Sequence, residues 1–239
     1  MGFNNEFAVT RGPLVFDIET APLPNASEFL DPVEAAKNLK DPVKIAADIA
    51  EREAEQIGKC ALDINVARIV TIGTWHLNQG VVVDVLQCEA DEREALKVFW
   101  RLADGRRLVG FRCREFDLPM LIQRSRYLGV KAPTVDLGRY SRGDRVTDLY
   151  DILTFQDSQR TFAMRRSLAS FARRVGLPAP TVDIKGSEVP ALVAAGKWKE
   201  VGDHCRADVE LTVALAEWLG CLPVVVDPEP KAREAEPVI

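Results

Sequence analysis

A chain of 239 residues, 47% hydrophobic and 28% charged, has the apolar material for one large domain or two small ones with a proper core, which excludes a disordered or fibrous protein. No run of about 18 apolar residues exists and the start MGFNNEFAVTRG lacks a signal peptide's basic and apolar segments, so a soluble cytoplasmic protein is expected, with no membrane partner. The net charge of -5 hides a segment, 101–174, with 16 lysines and arginines against 8 acids, a stretch able to face phosphates.

The first predicted strand, PLVFDIE (13–19), carries two carboxylates in an otherwise apolar run. Side chains alternate across a strand, so Asp17 and Glu19 share one face while Phe16 and Ile18 take the other. Two like charges so close cannot both stay ionised away from water without a cation or a donor to offset them. An inserted helical arm follows over about 25–63, with Asp-Pro at 31 and 41 as helix starts and an alternating-charge helix after the second. Strands are then predicted at 67–76 and 80–88, joined by the hairpin-like LNQG, and at 106–111.

Helices take over with i, i+3, i+4 apolar spacing: DEREALKVFWRLAD, FDLPMLIQRSRYLG, RRSLASFARRVG and GKWKEVGDHCRADVELTVALAEWLG. Trp198 and Trp218, on the last, read as core. The whole is an α/β pattern, a mixed sheet with helices packed on it. Residues 1–223 are expected to form a single domain carrying the arm, and 224–239, rich in proline and charge, a disordered tail. The five cysteines (60, 88, 113, 205, 221) never take C-x-x-C spacing, so neither a disulfide frame nor a zinc knuckle is supported, and they are expected to be reduced and mostly buried.

Two further acidic positions stand out. Asp117 falls in the first turn of its helix, where the dipole favours an anion and a capping aspartate is also at home. His204 and Asp208 are four residues apart on the last helix, a turn of about 400° and a rise of about 6 Å, so both point the same way. That face continues through Leu211 and Leu215 toward the interior, where Asp208 needs a salt-bridge partner or a cation.

A strand-borne D-x-E, a helix-start F-D and a helical H-x-x-x-D, in that order and with the flanks FDLPMLIQR, VTDLYDIL and SLASFARRVGL, resemble the DEDD (DnaQ-like) 3′-5′ exonuclease superfamily. The arm NLKDPVKIAADIAEREAE followed by ALDINVARIVTIG is similar to the bacterial and phage group of predicted exonucleases related to the proofreading domain of family-B DNA polymerases. The resemblance implies a ribonuclease H-like fold with a helical insertion after the first strand. It also implies a 3′-5′ exonuclease acting by a two-metal-ion mechanism on nucleic acid, single-stranded DNA 3′ ends first, in replication, repair or proofreading and beside proteins of those processes. A catalytically silent nucleic-acid- or polymerase-binding module of the same fold, and an exoribonuclease, are the rival readings.

By the same resemblance Asp17, Glu19, Asp117 and Asp208 are the metal ligands and, with His204, the catalytic set. Hard oxygen donors and the scarcity of histidine favour Mg²⁺ or Mn²⁺ over zinc. Arg112, Arg114, Arg165 and Arg166 are candidate phosphate contacts, each alone also readable as solvated surface, and Phe116 and Phe111 are candidates to stack on the terminal base, with packing in the core the favoured reading for both. Two departures are visible. The superfamily's branches carry Tyr-x-x-x-Asp or His-x-x-x-x-Asp, whereas this chain has histidine at the tyrosine spacing, assigned to orienting or deprotonating the attacking water. Arg112 stands five residues before Asp117, where relatives often carry asparagine.

Overall fold

The structure, a computed structural model, describes residues 12–77, 79–137, 145–155, 166–178, 182 and 184–222. Arg165 and the predicted tail fall outside them. Five strands, β1 (Leu14–Pro22), β2 (Ala67–His76), β3 (Gly80–Val85), β4 (Leu108–Gly110) and β5 (Val146–Asp148), form one sheet in the order β3-β2-β1-β4-β5. The β1–β2 and β2–β3 pairs are antiparallel, and β1–β4 and β4–β5 parallel. Helices α1 (Pro42–Lys59), α2 (Glu89–Ala103), α3 (Asp117–Tyr127), α4 (Leu149–Leu153), α5 (Leu168–Arg174), α6 (Val189–Ala194) and α7 (Trp198–Trp218) complete it. This mixed sheet flanked by helices is the α/β, ribonuclease H-like architecture that the resemblance implies.

The alternation in β1 sorts its side chains into two cores. Leu14, Phe16 and Ile18 pack with Leu96 and Phe99 of α2 and Leu118 and Leu121 of α3. Val15, on the opposite face, packs with Val109, Leu149 and Leu215 of α7. Each fully buried side chain of this kind contributes about 1.5–3 kcal/mol. Between α2, α3 and β2 runs a buried ion pair: Arg124 donates through Nε and Nη2 to Glu92, both at 2.7 Å, and Glu92 also accepts from the Ile69 N–H at 3.0 Å. Because both charges are buried and hydrogen-bonded, breaking the pair is costly, which holds α3 against α2 and β2.

Several expectations are corrected. Asp31-Pro32 starts no helix; the chain there runs back beside α1, with the Asp31 carbonyl accepting from Gln56 and Ala36 N–H donating to Asp48. Asp41 does cap α1, accepting from Val43 N–H at 2.9 Å, with Pro42 at the first helical position. Trp218 is 55% exposed rather than core, while Trp198 packs against Val70, Val189 and Val201. Three of the five cysteines are buried, and all five are free.

Candidate active site

Asp17 and Glu19 leave β1 on the face that α7 covers. Opposite Asp17 in the β1–β2 register stands Gly73, and the register shifts directly after Glu19, a bulge of the kind that re-aims side chains. Gly73 is required there by a close approach: a Cβ would lie 2.6 Å from Val209 Cγ2 and 2.8 Å from Cys205 Sγ. That approach seats α7 against the sheet, and the turn that carries Cys205 and Val209 also carries His204 and Asp208. His204 Nε2 lies 3.2 Å from Glu19 Oε1 and 3.9 Å from Asp208 Oδ2. Ligating atoms of Glu19, His204 and Asp208 all sit within 4.8 Å of one another.

Asp117 arrives from the other layer as the first residue of α3, its carboxylate accepting from its own N–H and from that of Ile18. The expected acids thus converge from three segments, and each disfavours ionisation of the others. Burial pushes Asp17 well above the usual carboxylate range, and the charges of Asp117, Glu19 and Asp208 push it further. Glu19 is raised by burial, then by Asp208 and Asp117. Asp117 is raised to about 7, chiefly by burial; hydrogen bonds to its own N–H and that of Ile18 lower it, and Asp148 raises it. Burial also lifts Asp208, against the opposing charge of His204. Asp17 Oδ2 is buried with no hydrogen-bond partner among the described residues. An orphaned carboxylate oxygen among mutually repelling acids is a donor set fitted to hard divalent cations.

One residue at this site was not anticipated. Asp148, 4% exposed at the end of β5, caps α4 by accepting from Tyr150 N–H at 2.9 Å. Its carboxylate also accepts from Arg112 N–H at 2.9 Å and Arg114 N–H at 3.0 Å. It thereby clamps the turn that leads from β4 into α3, and so holds Asp117. A strand followed by aspartate at a helix start was the available signal in VTDLYDIL; the long-range clamp was not.

The same turn explains position 112. Arg112 has φ 59°, a left-handed conformation that asparagine tolerates better than most residues. Its guanidinium lies 4.1 Å from the centroid of the Tyr150 ring, a cation–π contact, and its Nε and Nη2 are buried without hydrogen-bond partners among the described residues. Arg114 is engaged by the protein itself: it donates to the Val146 carbonyl at 2.6 Å and to that of Asp136 at 3.4 Å, and lies 3.7 Å from Asp151. Arg166 is exposed just before α5. Phe116 is half-buried against the α2–α3 core, and Phe111 meets Tyr150 and Phe171 edge-on at 5.5 and 6.1 Å.

Among solved structures, the family B DNA polymerase from the hyperthermophilic archaeon Pyrobaculum calidifontis is similar, with a TM-score of 0.56 and 20% identity over 87% of this chain. The match covers 24% of the polymerase, so the likeness is one of fold to part of a longer protein. No curated protein matches. The family described as predicted 3′-5′ exonucleases related to the exonuclease domain of PolB matches residues 61–216, which include Asp117, His204 and Asp208 and begin after β1. With about two thirds of its length so matched, the chain belongs to this family of predicted 3′-5′ exonucleases related to the exonuclease domain of PolB.

Proposed function

We propose that the protein is a metal-dependent 3′-5′ exonuclease that hydrolyses the terminal phosphodiester of single-stranded DNA, in replication, repair or proofreading, with two Mg²⁺ or Mn²⁺ ions. The observation that carries this is the orphaned Asp17 Oδ2 among four carboxylates that raise one another's affinity for positive charge. Asp17, Glu19 and Asp208 would hold ions from the α7 side of the sheet and Asp117 from the start of α3. Bound divalent ions would supply the charge stabilisation and water activation that phosphodiester hydrolysis needs.

The remaining work falls to the chain's own groups. His204, fixed between Glu19 and Asp208, orients the attacking water and accepts its proton at a ring nitrogen. Arg112 offers two unfilled buried N–H groups to a phosphate oxygen at the same end of the sheet, and Asp148 keeps its turn in place. Arg165, Arg166 and Phe116 complete the proposed contacts to the strand. Residues 1–223 act in this reading as one exonuclease domain, with the arm at its edge.

The test is digestion of 5′-labelled single-stranded DNA, duplex DNA and RNA with Mg²⁺, Mn²⁺ or EDTA. Single-stranded DNA should shorten fastest from its 3′ end, with no cleavage in EDTA. Faster loss of RNA would reassign the protein as an exoribonuclease. Binding without cleavage in either metal would reassign it as a silent module.

A further inference from the structure

At the far end of α3 from Asp117 lies a groove of about 860 Å³. Its floor is apolar, formed by Trp100, Val130 and Pro133, and its rim carries Lys97, Arg101, Lys131 and Arg145 against the acids Glu94 and Asp104. Lys97 is paired with Glu94 at 2.7 Å. Arg101, Lys131 and Arg145 make no ion pair among the described residues, although the charge of Arg101 helps Lys97 hold the Glu94 carboxyl below its ordinary range, and Arg101 and Lys131 are exposed. The walls are locked in place. Trp100 Nε1 donates to Ser125 Oγ at 2.8 Å, Arg93 Nε donates to the Leu128 carbonyl at 3.1 Å, and the Glu92–Arg124 pair joins the same two helices. A groove that needs no rearrangement, over a floor whose Trp100 and Val130 are themselves buried and with four cations against two acids on its rim, suits a ligand that brings phosphate.

We infer that this groove is a second nucleic-acid subsite, taking a nucleoside phosphate unit of the strand whose 3′ end lies among the carboxylates. The assignment rests on the proposed exonuclease reading. The 11 residues of α3 rise roughly 16 Å from Asp117 to the groove's side of the helix. At about 3.4 Å per stacked nucleotide, the unit held there lies several nucleotides from the scissile bond. The groove thus senses strand length: a long strand spans both places, whereas a trinucleotide, about 10 Å long, reaches only one. A free mononucleotide presents the same chemistry, and the experiment separates the two sources.

The test uses the double variant Arg101→Glu/Lys131→Glu, whose altered side chains are exposed, with an unchanged melting temperature as the check on folding. Binding of fluorescent single-stranded DNA of 3 and 20 nucleotides is followed by anisotropy with EDTA, between 50 and 200 mM salt, and a labelled mononucleotide is titrated in parallel. For the 20-mer the variant should lose about tenfold or more in affinity, and its log–log salt slope should fall by roughly 1.4, for two phosphate contacts on a single strand. The trinucleotide, which reaches only one of the two places, should lose less affinity in the variant than the 20-mer does. Loss of mononucleotide binding in the variant, with strand binding intact, would support the subsite and assign it to free nucleotide. Equal binding of all three probes by parent and variant would overturn the subsite while leaving the exonuclease reading standing. A parent that binds no probe would overturn the subsite, while the exonuclease reading is judged separately by cleavage in Mg²⁺ or Mn²⁺.

Discussion

Asp117 shows how the crowding of acids is written into the protein's response to pH. Its folded pKa of about 7, against an ordinary 3.8, means that between those values the native state holds a proton that the unfolded chain has released. The sign follows from linkage: the contribution to stability is fully present below about pH 4 and is lost as pH rises through about 7. At 1.36 kcal/mol per pKa unit it is on the order of 4 kcal/mol in the metal-free protein. In EDTA, the parent's melting temperature should therefore drop between pH 5 and pH 8 by more than that of Asp117→Asn, which has no proton to lose there. Mn²⁺ at pH 8 should raise the melting temperature of the parent by more than that of the variant, which keeps Asp17, Glu19 and Asp208 but has lost one ligand. Parallel melting profiles for the two proteins would mean that Asp117 is not the strained acid described above.

Among the elements, α7 is held by a surface that tolerates no extra atom. Gly73→Ala would place a Cβ 2.6 Å from Val209 and 2.8 Å from Cys205, forcing the helix off the sheet. Overpacking of this kind costs about 1–3 kcal/mol. Because His204 and Asp208 flank the displaced contacts, cleavage should fall more than the lost stability explains, seen as a lower single-turnover rate at temperatures where the variant is fully folded. A rate equal to the parent's would show that α7 can shift without disturbing the acids. The arm behaves in the opposite way. Helix α1 has no buried residue, and its neighbours Ala26, Cys60 and Val66 form their own small cluster. Replacing residues 33–55 with a short Gly-Ser linker should change stability by less than about 1 kcal/mol, the scale of surface changes, while altering the preference between single- and double-stranded substrates. Unfolding of the shortened chain, or an unchanged preference, would contradict this.

For the molecule as a whole, what could be read from sequence followed from local periodicity. The two-residue alternation put Asp17 and Glu19 on one face, and the four-residue helical step aligned His204 with Asp208, because both depend only on neighbours along the chain. Asp148 escaped notice as a clamp because its partners lie 36 and 34 residues away. Strand β5 was missed because three residues are too few to show a period. Trp218 was misread because its exposure depends on where α7 ends relative to the sheet, which no helical pattern specifies. The left-handed turn at Arg112 likewise belongs to the packing of three segments rather than to its own residue type.

The reading that five side chains from β1, α3 and α7 form one metal-dependent hydrolytic centre is tested most directly by single-turnover digestion of a 5′-labelled 20-nucleotide single strand. Parent, Asp17→Asn and His204→Ala proteins are compared, each in saturating Mg²⁺ and in EDTA, with metal-free melting as the control for folding. The parent should produce a ladder shortening from the 3′ end only with Mg²⁺. Asp17→Asn should abolish it while melting no lower than the parent in EDTA, since one repelling charge is gone. His204→Ala should slow it by about 10²–10⁴, the usual worth of a positioned acid or base. Parental rates from a folded Asp17→Asn protein, or cleavage that persists in EDTA, would contradict the assignment.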